Sequence, residues 1–225
     1  MLTGPSAAAL YGYEGANGVV LITTKKGRAD KTTVTYSNNT TFSDPMMMPK
    51  FQNTYGNMTG EMMSWGLETD KRYDPANFFN TGSNVSNALS LSTGNDKSQS
   101  YISVATTNAT GIMPNNDYDR YNFSFRNTTN FLNNKFILDT SANYIIQNDK
   151  NMVSQGQYFN PLTSLYLFPR GEDFSDVAVY ERYDDLSGVN TQYWPYGDLG
   201  GVSSQNPYWI MNRMNRELSL IHISE

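Results

Sequence analysis

"DRYNFSFRNTTNF", residues 119–131, alternates along its whole length. Odd positions carry Tyr121, Phe123, Phe125, Asn127, Thr129 and Phe131. Even positions carry Arg120, Asn122, Ser124, Arg126, Thr128 and Asn130. A period of two sends successive side chains to opposite faces of a strand, so one face is aromatic and the other entirely polar with two arginines. The stretch is also longer than the roughly five or six residues of an ordinary soluble strand.

The same alternation extends outward on both sides. Residues 135–147 place Phe136, Leu138, Thr140, Ala142, Tyr144 and Ile146 on one face. Asp139, Ser141, Asn143 and Gln147 lie on the other, interrupted by Ile137 and Ile145. Residues 84–93 set Val85, Asn87, Leu89 and Leu91 against Ser86, Ala88, Ser90 and Ser92. Residues 32–42 do so more weakly through Val34, Tyr36 and Phe42, and 99–109 reads as a strand whose faces stay unassigned. Five strands are predicted.

Their connections are unequal. Gly94-Asn95-Asp96-Lys97 and Leu132-Asn133-Asn134 are tight hairpin turns by composition. A middling loop spans 110–118, and two long connections run over about 43–83 and 148–213. In an antiparallel meander, successive connections fall on opposite ends of the sheet. Both short turns therefore share one end, and the longer loops share the other. Outer-membrane barrels sort short periplasmic turns from long extracellular loops in this way.

Composition narrows the classes further. The 225 residues contain no cysteine, which excludes disulfides and thiolate metal sites. The single histidine, His222, excludes histidine triads and multi-histidine metal sites. Net charge is −5 with the basic residues scattered, so nothing suggests nucleic acid as a partner. No run of about eighteen apolar residues encodes a transmembrane helix, and no signal peptide is visible behind Met1. A strand-based membrane protein is compatible with both observations.

"LYGYEGANGVVLITTKKG", residues 10–27, spaces Gly12, Gly15 and Gly18 evenly. A phosphate-binding loop follows a strand and opens a helix; here the glycines precede the β-branched run 19–24. Neither G-K-[ST] nor G-x-G-x-x-G spacing occurs, so these glycines are read as structural.

"SAAALYGYEGANGVVLITTKKG" closely resembles the end of the plug domain in SusC/RagA-type TonB-dependent outer-membrane transporters. The resemblance continues in "YGNMTGEMMSWG", "YDPANFFNTG", "NDKSQSYISVATTNATGIMPNNDYDRYNFSFRNT", "NPLTSLYLFPRGEDF", "ERYDD", "TQYWPYGD" and "QNPYWIMNR", and so spans residues 5 to about 216. It implies a plug inside a barrel of about 22 strands. It also implies import of oligosaccharides or peptides, a SusD-type surface lipoprotein as lid, and energy from the TonB complex. The implied fold is all-β. Residues 1–27 form the C-terminal end of a plug domain, with Gly12, Gly15 and Gly18 letting the backbone turn before a last plug strand at 19–24. Residues 28–217 form the N-terminal part of a transmembrane antiparallel β-barrel, about five to six strands of it, set in outer-membrane lipid. Arg120 and Arg126 then face the lumen.

Two departures accompany the resemblance. The chain is far shorter than its family pattern, so it is read as a fragment, with signal peptide and TonB-binding segment outside it. The tail 218–225, within "LSLIHISE", leaves the pattern where a sixth strand should begin, and a foreign tail from a truncated reading frame stays open beside a native strand.

No catalytic residue, metal ligand or cofactor site is predicted. Glu172, Asp173, Asp176, Glu181, Asp184 and Asp185 cluster in the last long loop, but nothing fixes the separation that two glycosidic carboxylates need. No EF-hand spacing occurs among them. The stronger candidates for substrate or lid contact are Trp65 in the first long loop and Tyr193, Trp194, Tyr196, Tyr208 and Trp209 in the last. Such rings stack on sugars and anchor protein contacts, and they also serve to pack loops on themselves. Met46–Met48, ahead of Pro49, read as loop filler.

Two functions compete at this stage. One is part of a nutrient importer of the outer membrane. The other is a secreted all-β carbohydrate-binding or adhesion module, which would bury the aromatic face between two sheets.

Overall fold

A computed structural model describes residues 5–15, 17–20, 25, 27, 31–133, 135–154, 156–196, 204–214 and 216–224. The elements, in chain order, are helix α1 (Pro5–Tyr11), strands β1 (Thr33–Ser43), β2 (Gly82–Gly94), β3 (Ser98–Thr110), β4 (Asp117–Phe131) and β5 (Phe136–Lys150), and helix α2 (Pro161–Leu167). Then come the short strands β6 (Glu181–Asp184) and β7 (Val189–Gln192), helix α3 (Pro207–Arg213) and strand β8 (Glu217–Ser224). One six-stranded sheet has the order β1-β2-β3-β4-β5-β8, and β6 and β7 make a separate antiparallel pair. The described residues are thus mostly antiparallel β-sheet with short helical segments. Among the described residues no helix is long and apolar enough to cross a membrane.

The five segments read as strands, four of them by alternation, all form strands within a few residues of the expected bounds. The chain divides into two compact units. One contains Met1–Val34, Leu91–Ile102 and Phe125–Ser141; the other contains Thr35–Ser90, Ser103–Ser124 and Ala142–Glu225. Both short turns belong to the first unit and all the longer connections to the second.

In the first unit, turn chemistry and side-chain ladders set the pairing. Asn95 closes the β2–β3 turn: its carboxamide oxygen accepts from the backbone N–H of Lys97 and Ser98 at 2.9 and 2.8 Å. Leu132 and Asn133 adopt φ of 48° and 57°, the left-handed geometry of tight hairpins. Asn127 donates to the hydroxyl of Ser100 at 2.8 Å, and the Ser98 and Thr129 hydroxyls meet at 3.2 Å. On the opposite side of β4, Arg126 forms a two-pronged ion pair with Asp139. Among the glycines, Gly12 and Gly18 have φ of +66° and +95°, open only cheaply to glycine. A Cβ on Gly15 would lie 2.5 Å from the Ala7 carbonyl oxygen, so that residue lets the turn close on α1. The expected plug strand at 19–24 falls mostly on residues outside those described.

In the second unit, β8 pairs with β5 in a register that sets Tyr144 opposite Ile223, Ile146 opposite Ile221 and Ile145 opposite His222. Asn108 of β3 donates to Asp119 of β4 at 2.6 Å and to the Tyr121 hydroxyl at 3.2 Å. On the aromatic side of β4, Tyr121 and Phe123 are 43% and 42% exposed. Neither Phe123 nor Phe125 belongs to the buried core. Among the described residues no strand residue does. The core consists of Tyr73, Phe78, Met113, Leu165, Phe168, Val177, Ile210 and Met211, all from the connections and the short helices within them.

Candidate functional site: the aromatic loop lobe

The longer connections, 43–83, 110–118 and 148–213, fold together into a packed lobe. Three of its helical turns begin at Asx-Pro pairs. Asp74 accepts from the N–H of Ala76, Asn160 from Leu162, and Asn206 from Tyr208 and Trp209, each ahead of a proline at the first helical position. The cap satisfies an orphan N–H, and proline's missing N–H costs nothing there. Helix α2 buries Pro161, Ser164 and Leu165, and α3 buries Pro207, Ile210 and Met211.

Aromatic rings fill the space between these turns. Phe168 lies 5.0 Å from both Tyr73 and Phe174, and Phe78 lies 5.0 Å from Tyr208, centroid to centroid. Full burial of such a side chain stabilises by about 1.5–3 kcal/mol, and each favourable ring pair adds about 0.5–1.5 kcal/mol. The lobe therefore holds its shape through a core of its own.

The six candidate aromatics divide into three groups. Trp194, Tyr196 and Tyr208 pack against the lobe core, with Tyr196 5.2 Å from Phe168 and Trp194 5.1 Å from Tyr196. The Trp194 indole N–H donates to Ser204 at 3.0 Å. Burial raises the pKa of Tyr196 and Tyr208, as it does for Tyr73, so these phenols stay neutral across the physiological range. Tyr193 and Trp209 flank the β6–β7 hairpin: the Arg182 guanidinium sits 3.4 Å over the Tyr193 ring, and Trp209 lies 6.4 Å from Tyr180. Trp65 stands apart, 80% exposed beside exposed Met63 and Leu67. Met46 and Met47 are exposed as well.

The acidic residues of the last loop serve local structure. Glu172 accepts from Asn57, Asp173 caps the turn at Ser175, Glu181 binds Arg213 through two bonds of 2.7 Å, and Asp184 caps the β6–β7 turn. These bonds hold the carboxyls of Asp173, Glu181 and Asp184 below their ordinary pKa values. Among the described residues no group of three or more His, Cys, Asp or Glu is placed to hold a metal ion. On the strands, Arg120 donates to Asn122 at 3.0 Å. A groove of about 590 Å³ is lined by Asn108, Asp117, Asp119, Lys150, Glu217 and Leu218 among others, and none of the six aromatics lines it.

Spacing alone gave no sign of Tyr73, Phe78, Phe168 and Phe174, which form the lobe centre, or of Asn206 and Arg170, which are buried polar ties. The Asx-Pro pairs were the available signal for the helical turns.

The described residues thus combine mostly antiparallel β-sheet, half-exposed rings on β4 and an aromatic loop lobe. No protein-family model matches the chain. Over 130 residues, 54% of the chain, it is 32% identical to TonB-dependent receptor P3 of Formosa agariphila. Over 235 residues, 96% of the chain, it is 26% identical to TonB-dependent receptor SusC of Bacteroides thetaiotaomicron. These similarities support a relationship to TonB-dependent receptors. The chain spans 12% and 22% of the lengths of those two proteins.

Proposed function

We propose that this chain is part of a TonB-dependent importer of the bacterial outer membrane, of the SusC/RagA type. In this reading, residues 1–27 end a plug domain, and the six-stranded sheet is a sector of a transmembrane barrel whose aromatic side faces lipid. Arg120 and Arg126 then face a hydrated lumen. The loop lobe lies on the extracellular side, where a SusD-type lipoprotein would cover it and an oligosaccharide or peptide would enter. Trp65 is the aromatic best exposed for lid or ligand contact, and Tyr193 and Trp209 come next. Energy would come from the TonB complex acting on the plug, with no catalytic step.

One observation carries the reading: Tyr121 and Phe123 of the long strands stay half-exposed, while the packed core of the described residues sits in the loops. A secreted two-sheet module would bury those rings in a closed core. Similarity to SusC over most of the chain points the same way. Deleting the gene in its own bacterium and growing the strain on a panel of glycans and peptides tests the transport function. Loss of growth on one oligomer class, with growth on its monomers intact, is expected. Unchanged growth on every oligomer would contradict it.

A further inference from the structure

We infer that the two long connections open and close as one cooperative body, latched by Arg170 and its neighbours. This goes beyond the transport reading and does not depend on it. Arg170 is 4% exposed, and its guanidinium lies between two rings of the first long connection, 4.2 Å over Phe51 and 4.7 Å over Tyr73. Its N–H groups donate to the carbonyls of Phe168 and Tyr166 at 2.6 and 3.2 Å, at the C-terminal end of α2. A guanidinium suits this place because it stacks flat on aromatic faces and still donates in plane.

The residues beside it repeat the connection. The Arg170 backbone N–H donates to Ser64 at 3.0 Å, and the Gly171 N–H donates to the Asn57 side chain at 3.1 Å. Asn57 in turn donates to Glu172 at 3.1 Å. Gly56 and Gly171 touch backbone to backbone: a Cβ on Gly56 would lie 2.9 Å from the Gly171 Cα. Segment 54–69 is itself closed by the Gly56–Leu67, Gly66–Gly56 and Thr69–Thr54 backbone bonds. The piece that carries exposed Met63, Trp65 and Leu67 is thereby tied to α2. Breaking the latch strips a buried cation of its rings and three part-buried donors of their acceptors, so partial opening is disfavoured. A displacement of either connection is transmitted to the other.

Hydrogen–deuterium exchange on the full-length protein tests this. In the wild type under rising denaturant, the amides of Gly56, Gly66 and Thr69 should become exchange-competent together with those of Thr163 and Gly171. Arg170→Ala should speed exchange at least tenfold in peptides covering both 54–69 and 161–171. Arg182→Ala, which removes a stacking contact inside the last connection only, should leave 54–69 unchanged. Separate opening of the two groups in the wild type would overturn the inference, even if Arg170→Ala failed to fold. So would acceleration by Arg170→Ala confined to 161–171.

Discussion

The Tyr73 hydroxyl donates to the backbone carbonyl of Leu165 at 2.6 Å, joining residues 92 positions apart inside the loop lobe. The last carbonyls of a helix lack intrahelical donors, and here a buried phenol supplies one to α2. Tyr73→Phe keeps the ring contacts with Phe168 and Phe174 but strands that carbonyl in the core. It should lower the lobe's stability by about 1–3 kcal/mol, read as an earlier urea midpoint in tryptophan fluorescence. An unchanged midpoint would mean that water satisfies the carbonyl.

Asn206 is fully buried and works in both directions. Its oxygen accepts from the Tyr208 N–H at 2.8 Å, and its amide donates to the carbonyls of Val177 at 2.7 Å and Tyr193 at 2.9 Å. Asn206→Ala loses the cap and leaves two carbonyls unpaired, at a cost on the order of 2–4 kcal/mol. Asn206→Asp retains the capping oxygen but turns a donor into an acceptor facing two carbonyls. Thermal unfolding should therefore show no rescue by Asp; near-wild-type stability of that variant would put the weight on the cap alone.

Stability of the lobe should fall at both pH extremes, for opposite reasons. Glu181 is depressed below its usual 4.5 by its bonds to Arg213, so its contribution is present above that value and lost as pH falls through the folded pKa. Tyr73 is raised above its usual 10.0 by burial, so an unfolded chain ionises first and the lobe weakens as pH rises past 10. Trp209 fluorescence should change below about pH 4.5, and phenolate absorbance should lag until the lobe unfolds. Free titration of every tyrosine near its ordinary value would contradict this burial.

Much of the sheet was legible in the sequence because a period of two is a local signal. Alternation from Tyr121 to Phe131 marks β4 whatever lies around it, and Asn95 and Asn133 mark their turns. The β6–β7 pair was not legible, since four-residue strands carry too few alternations to stand out. The tail was left open, and Glu217–Ser224 pairs with β5 along its length. The candidate site was legible only in kind. Aromatic richness pointed to Trp194, Tyr196 and Tyr208, but their absorption into packing depends on Phe78 and Phe168, far away in sequence. Trp65 stays exposed, which spacing cannot reveal.

The direct test of the membrane reading compares two neighbours on β4. Phe123 and Ser124 point to opposite sides of the pleat. With Phe123 in lipid, Phe123→Arg places a charge in hydrocarbon at a cost of about 2–4 kcal/mol near the midplane. Ser124→Arg joins the side of Arg120 and Arg126 and should cost far less. Assembly of the full-length protein in the outer membrane, followed by the heat-modifiable gel shift of folded barrels, reads both. The account predicts a reduced folded fraction for Phe123→Arg and a largely normal one for Ser124→Arg. Equal folding of the two variants, or the reverse order, would contradict it.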